Sequence, residues 1–134
     1  MISLSLLAAI LLMVVGAFIT LFLHEGSHAL VAIAQGRRVT SFRPYPHYFM
    51  GSLYLGFTSV SPVVINVTNG ERLAYFAAPA VKAPLMVVLW SIIGLWPLAI
   101  WEGVDLIWWW LGWFRVRPFS DGKNSDGWKV RQLL

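Results

Sequence analysis

Long apolar runs separated by short polar segments set the pattern of this sequence. The first run covers about residues 2–35 and contains no charged side chain before Glu25. Two further runs cover about residues 72–94 and 98–114, with Gly94 and Pro97 near their junction as turn-forming residues. A helix of about 20 apolar residues is long enough to cross the hydrocarbon core of a bilayer. The pattern therefore predicts three transmembrane helices.

The segment between the first two predicted helices, about residues 39–68, has a different composition. It is rich in Thr, Ser, Tyr, Phe and Val, and it alternates apolar and polar residues from Ser52 to Thr58. Such alternation favours short strands over a helix. Open strands cannot face lipid, so they must lie at the membrane interface or line a cavity. We predict an all-α membrane protein with a three-transmembrane-helix core and a short β-strand or hairpin segment between helices 1 and 2.

The composition supports a membrane protein formed as one domain over residues 1–134, ending in a tail over 115–134. Hydrophobic residues make up 58% of the chain and charged residues 12%, and the mean hydropathy is +0.69. The chain has no cysteine, so any metal must be held by His, Asp or Glu. The net charge of +4 would suit nucleic acid, but the basic residues fall at helix ends instead of forming one patch. We therefore expect the lipid bilayer as a partner, and no nucleic acid.

The basic residues also predict the orientation in the membrane. They flank the segment between helices 1 and 2 and recur in the tail: Arg37, Arg38, Arg43, Arg72, Arg115, Arg117, Lys123, Lys129 and Arg131. Glu102 and Asp105 are assigned to the turn between helices 2 and 3, and we expect them at the outer face. Cytoplasmic loops carry the excess of Lys and Arg, so the N-terminus is predicted outside and the C-terminus in the cytoplasm. The small size indicates a prokaryotic cytoplasmic membrane.

The candidate chemistry lies near the end of the first apolar run, where the sequence reads His24-Glu-Gly-Ser-His28. Residues four apart lie on the same face of a helix, so His24 and His28 can both bind one metal ion. Glu25 can then reach a water molecule beside that ion. The pattern recurs by chance in many proteins, but ionisable side chains within a membrane span are costly and indicate a functional site. The arrangement is that of a zinc peptidase.

A catalytic zinc site usually has three protein ligands, so a third donor must come from elsewhere in the chain. Asp126 is the favoured candidate, although it could instead cap the short helix that follows it. Asp121, also followed by glycine, is the main rival, and His47 in the strand segment is a weaker one. Lys82, inside the second predicted helix, is assigned no role.

Several segments, taken in order, resemble the site-2 protease family of intramembrane zinc metalloproteases, particularly its small bacterial branch. They are His24–Leu30, Gly36–Ser41, Gly51, Ala77–Ala80, Pro118 and Ser125–Val130. The resemblance implies a three-helix core that holds Zn²⁺ through His24, His28 and Asp126, with Glu25 as the general base. Two positions depart from the family pattern: Arg115 stands where an Asn is common, and Ser27 where a Gly is common.

We therefore predict an intramembrane zinc metalloendopeptidase that hydrolyses transmembrane or membrane-associated peptides. Gly51, Ser52, Leu53 and Tyr54 are the candidate substrate-binding residues, because an exposed strand edge could pair with an extended peptide. The alternative is a catalytically inactive membrane scaffold or binding subunit that keeps the same fold. A metal transporter is a third hypothesis, which three short spans with a single ion site support poorly. The sequence does not specify an oligomeric state.

Overall fold

A computed structural model describes residues 4–49, 52–61, 67–116 and 125–134 of the chain. The described residues are mostly helical, with four short strands between the first two helices. The helices are α1 (Leu4–Ala34), α2 (Asn69–Ile92), α3 (Trp96–Phe114) and α4 (Asp126–Leu133). The strands are β1 (Val39–Arg43), β2 (His47–Phe49), β3 (Ser52–Tyr54) and β4 (Phe57–Val60). The prediction of a mainly helical chain with a strand segment after its first helix is confirmed.

The strands form two antiparallel pairs instead of one sheet. β1 pairs with β4, with Phe42 opposite Thr58, and β2 pairs with β3, with Tyr48 opposite Leu53. β1 and β4 also pack against α1. This contact places β4 beside the His24–His28 segment.

The end of α1 follows from a single glycine. Gly36 has a φ of 71°, a left-handed conformation that glycine adopts without steric cost. The amide N–H of Gly36 donates to the Ile33 carbonyl, and that of Arg37 donates to the Ala32 carbonyl. These two bonds satisfy carbonyls that the helix end leaves open. The chain therefore turns at the end of the first apolar run.

α2 begins three residues before the predicted position because Thr68 caps it. The Thr68 hydroxyl accepts from the amide of Glu71, and the Glu71 side chain accepts from the amide of Thr68. This reciprocal pair satisfies two orphan amides at the helix start. At the other end, Gly94 with a φ of 80° makes the turn, and Pro97 lies in the first turn of α3.

α1 and α2, with 31 and 24 residues, are long and apolar enough to cross a membrane. Their outward faces carry large apolar side chains, for example Phe22, Leu30 and Ile92, which are 55%, 70% and 77% exposed. The interior instead holds polar groups, including Glu25, His28 and Glu102. Large exposed apolar surfaces mark contact with a membrane or another protein. The described part of the chain is thus apolar outside and partly polar inside.

α3 packs against α1 and α2, and α4 packs across α2 and α3. The contact between α3 and α4 depends on Gly127, whose backbone lies directly against α3. A Cβ there would collide with the carbonyl oxygen of Trp109 and would lie 2.8 Å from the amide nitrogen of Trp113. Backbone atoms cannot move aside as a flexible side chain can. Gly127 therefore allows α4 to approach closely enough to bring its neighbour Asp126 to the centre of the molecule.

Candidate metal centre

Three donor atoms from the two ends of the chain meet between α1 and α4. Nε2 of His28 lies 2.9 Å from Oδ2 of Asp126, and Nε2 of His24 lies 3.4 Å from the same oxygen. One donor atom from each of these residues lies within 4.8 Å of the other two. A tetrahedral ion with bonds of about 2.0–2.1 Å separates its ligand atoms by roughly 3.3 Å. The spacing fits a shared metal ion, so His24, His28 and Asp126 could hold one.

Asp126 is free to act as a ligand because its neighbour caps the helix. The Ser125 hydroxyl accepts from the amide of Trp128, the bond expected of an N-cap residue. The capping role considered for Asp126 therefore belongs to Ser125. The alternative ligand Asp121 lies outside the described residues.

The local charges keep Asp126 in the form that binds metal. Burial alone would raise the pKa of its carboxyl, but the imidazoles of His28 and His24 and the ammonium of Lys129 hold that pKa well below its usual range. Lys129 Nζ lies 3.6 Å from Asp126 Oδ1, while Oδ2 faces the two histidines. Asp126 is thus an ionised oxygen donor at neutral pH.

Each histidine uses its other ring nitrogen to fix its orientation. Nδ1 of His24 lies 2.8 Å from Oδ1 of Asp105, and Nδ1 of His28 lies 2.7 Å from the carbonyl oxygen of Tyr75. An acceptor at Nδ1 places the ring proton there and leaves Nε2 with a free lone pair. Both rings therefore direct Nε2 at Asp126, and in the neutral form of each ring that nitrogen carries the lone pair that a metal ion would need.

The Tyr75 carbonyl is free to accept a hydrogen bond from His28 because α2 has a proline four residues later. In a regular helix the Tyr75 carbonyl would accept from the amide N–H of residue 79, but that residue is Pro79 and has no N–H. His28 takes the vacant place in the hydrogen-bonding pattern. The ring of Tyr75 also packs on that of His28, with centroids 4.6 Å apart. Pro79 therefore helps to orient a candidate metal ligand on another helix.

We expect Pro79→Ala to weaken metal binding, because the alanine would supply an N–H that competes with His28 for the Tyr75 carbonyl. Loss of such an orienting bond typically lowers metal affinity by about 10-fold or more. Competition of the purified protein with a Zn²⁺ chelator measures the change. Pro84→Ala is the control, since it removes the other proline of α2 at an exposed position. Equal losses in both variants would assign the effect to the shape of the helix instead.

Glu25 lies beside the three donors and is held by the strand segment. Its side chain is buried, and its Oε2 accepts from the Thr58 hydroxyl at 2.5 Å. Gly56 passes so close that a Cβ there would collide with the Glu25 carboxylate. Arg37 does not pair with Glu25, because the Arg37 guanidinium lies over the Tyr75 ring, 5.2 Å from its centroid. Glu25 therefore points towards the site and not towards the basic residues after α1.

A cleft of about 760 Å³ opens over these groups. The three donors and Glu25 line it, together with residues of β3, β4 and α3 such as Tyr54, Thr58 and Trp108. Of the predicted substrate-binding residues, Tyr54 lines the cleft, Ser52 and Leu53 belong to β3, and Gly51 lies outside the described residues. The cleft is large enough for several residues of an extended peptide.

His47 does not belong to the site. It lies in β2, where its Nδ1 hydrogen-bonds the carbonyl of Tyr45 at 2.8 Å and its ring stacks on that of Tyr54. These contacts hold the His47 ring against the β2–β3 pair. The weaker alternative for the third ligand is therefore not supported.

The predicted placement of Glu102 and Asp105 at the outer face is wrong. Both lie inside α3, where Glu102 is fully buried and Asp105 is 12% exposed. Lys82 of α2 reaches both carboxylates, and His24 reaches Asp105. Because each acidic group has a partner inside the bundle, it does not need to extend to water.

No known protein family, curated protein or solved structure matches this chain. The chemical interpretation of the site therefore depends on the residues that form it. These are a pair of correctly oriented histidines and a carboxylate that could hold a metal ion, with a second buried carboxylate, Glu25, beside them in the same cleft.

Proposed function

We propose that this chain is an intramembrane zinc metalloendopeptidase with a core of three transmembrane helices. The observation that carries the proposal is the position of Glu25, a buried carboxylate that is no part of the donor cluster but shares its cleft. A site that only stored metal would need the three donors and no fourth acid beside them. The resemblance of the sequence segments to the site-2 protease family supports the same activity.

His24, His28 and Asp126 would hold Zn²⁺ in this enzyme. A nitrogen and oxygen donor set with three protein ligands suits zinc and leaves a fourth position open. Bound there, the ion would supply a Lewis acid for the scissile carbonyl and lower the pKa of water. The two Nδ1 hydrogen bonds hold both imidazole rings with Nε2 directed at Asp126, the orientation that this role requires.

Glu25 would carry the protons in the reaction. As the general base it takes a proton from the attacking water, and it then delivers that proton to the nitrogen of the departing amine. The Thr58 hydroxyl holds one oxygen of the carboxylate, which limits rotation of the side chain. The Glu25 side chain is buried, and low exposure to water strengthens electrostatic interactions within the site.

The membrane placement follows from the helices that carry the site. α1 and α2 are long and apolar enough to span, and α3, with 19 residues, packs against both. We propose α3 as the third span, with its charged residues directed inwards to Lys82 and His24. The distribution of Lys and Arg supports an orientation with the N-terminus outside and the C-terminus in the cytoplasm. The proposed location is a prokaryotic cytoplasmic membrane.

The proposed substrate is a transmembrane or membrane-associated peptide in an extended conformation. A helix hides its carbonyls in its own hydrogen bonds, so it must unwind before attack. The strand segment that lines the cleft offers backbone groups for pairing with such a peptide. Ser52, Leu53 and Tyr54 of β3 are the proposed contacts, together with Gly51.

An inactive scaffold that binds the same metal is the alternative, and Arg115, which stands where the family commonly has Asn, is the sequence feature that favours it. The structure places Arg115 at the end of α3, with its guanidinium over the Trp128 ring at 4.6 Å from the centroid. That position does not line the cleft. Arg115 therefore gives no reason to prefer the scaffold over the enzyme.

Metal removal tests the proposed activity directly. We expect the purified protein to hydrolyse a quenched fluorescent casein, or single-span peptides in liposomes, and to lose this activity in 1,10-phenanthroline. Hydrolysis should return when about one equivalent of Zn²⁺ is added after the chelator is removed, because one cluster holds one ion. Initial rates and zinc content are measured on the same samples. A protein that binds zinc but hydrolyses none of these substrates under any condition would favour the scaffold.

A further inference from the structure

A series of buried charged residues crosses the three long helices and ends at the metal centre. Oε2 of Glu102 lies 2.6 Å from Nζ of Lys82, and Nζ lies 3.2 Å from Oδ2 of Asp105. Oδ1 of Asp105 then lies 2.8 Å from Nδ1 of His24. The side chains of these four residues are at most 16% exposed. This series of charged residues thus connects α2 and α3 to His24, a proposed metal ligand on α1.

We propose that Lys82 and Glu102 are positioning residues of the metal centre, which act on His24 through Asp105. The two oxygens of Asp105 have different partners, His24 on one side and Lys82 on the other. A carboxylate held at one oxygen only can rotate about its last bond, whereas one held at both cannot. Lys82 therefore fixes the plane of the Asp105 carboxylate and, through it, the direction of the His24 ring.

Glu102 plays the matching part for Lys82. An ammonium group among apolar helices is costly unless an anion is beside it. Asp105 alone would have to serve both Lys82 and His24, and the shorter bond of Lys82 goes to Glu102. Glu102 thereby holds the ammonium group between the two carboxylates.

Stability alone does not explain this pair. Buried ion pairs often contribute no more to stability than apolar residues of the same volume would. Glu102 is also fully buried, so its carboxylate is removed from water. Burial of such a group costs stability and calls for another role. Orientation of a metal ligand supplies that role.

The proposal rests on the metal centre of the proposed function but not on hydrolysis, so it is tested by metal binding. Co²⁺ is titrated into the metal-depleted full-length protein in detergent, and its visible absorption bands report ligand geometry. The test variant is Lys82→Met with Glu102→Gln, which replaces both charges by neutral groups of similar size. We expect Co²⁺ affinity to fall by about 10- to 100-fold and the bands to change shape, as after loss of other groups that orient metal ligands.

Two further variants frame this result. Asp105→Asn removes the direct partner of His24 and should cause at least as large a loss. Arg72→Met with Glu71→Gln removes one positive and one negative charge at the start of α2, where neither side chain lines the cleft. This matched double variant removes no group that orients a metal ligand. The Co²⁺ affinity should therefore stay within about twofold of that of the unaltered protein. Thermal unfolding of the metal-free proteins shows whether each variant is folded.

The outcomes separate the hypotheses. A folded variant lacking the Lys82 and Glu102 charges, with wild-type Co²⁺ affinity and bands, would overturn the positioning role while leaving the metal centre intact. If that variant does not fold, the pair belongs to the stability of the bundle and the positioning role is overturned as well. A wild-type protein that binds no Co²⁺ at this site would refute the metal centre itself, and the positioning role with it.

Discussion

Replacing Glu25 with Gln should leave the metal bound and reduce peptide hydrolysis by a factor of about 10²–10⁴, the usual contribution of a general base. The two side chains have nearly the same shape, and the Gln amide oxygen can still accept from the Thr58 hydroxyl. Gln cannot take a proton from water at neutral pH. Initial rates on the substrates used for the metal-removal test, with zinc content of the same samples, measure both effects.

Glu71→Gln is the matched control for this variant. It makes the same chemical change at the start of α2, where Glu71 belongs to a helix cap and does not line the cleft. We expect a small loss of stability and an unchanged rate per folded molecule. If Glu25→Gln hydrolyses peptides as fast as the unaltered protein, Glu25 is not the base. If it loses zinc as well as activity, Glu25 belongs to the donor set.

The parts of this molecule that were predictable from sequence are those determined by neighbours in the chain. The spacing of His24 and His28 sets their common face through the helical repeat alone. The end of α1 at Gly36 and the turn at Gly94 depend on the backbone freedom of single residues. The alternation around Ser52 to Thr58 likewise marks strands locally. These features were therefore visible before the structure.

The supporting residues of the site could not be predicted in this way, because their roles depend on contacts between helices. Asp105 and Glu102 are assigned from the sequence to a turn, where acidic residues are common. The partners of Asp105, His24 and Lys82, lie 81 and 23 residues away along the chain. The sequence indicates that burial of such a charge is unfavourable, but it does not indicate which residue pairs with it.

The sequence does contain one signal of contacts between helices, which is the presence of opposite charges in adjacent apolar runs. Lys82 and the pair Glu102 and Asp105 are opposite charges in adjacent apolar runs, and three such groups are expected to pair within a bundle. Pro79, within the second apolar run, by itself indicates only a kink in a helix. Its lack of an N–H frees the Tyr75 carbonyl for His28, a consequence that becomes apparent only when α1 is known to pack there.

Replacing Asp126 with Ala should remove most of the metal. In structural zinc sites with four protein ligands the binding free energy is about 10–16 kcal/mol, or roughly 2.5–4 kcal/mol for each ligand, so loss of one ligand is expected to lower affinity by about 10²–10³-fold. The fold should survive, because Ser125 still caps α4 and Gly127 still packs against α3. Zinc content after dialysis against a weak chelator measures the loss.

Asp121→Ala decides between the two Asp-Gly pairs of the tail. Each aspartate is followed by glycine, so the sequence alone offers both, whereas the structure brings Asp126 to within 2.9 Å of His28 Nε2. We expect Asp121→Ala to retain zinc at the level of the unaltered protein. The reverse pattern, with zinc lost from Asp121→Ala and kept by Asp126→Ala, would mean that α4 is held at the centre by its glycine contact with α3 alone. The proximity of Asp126 to both imidazoles would then be a consequence of helix packing and not of metal binding.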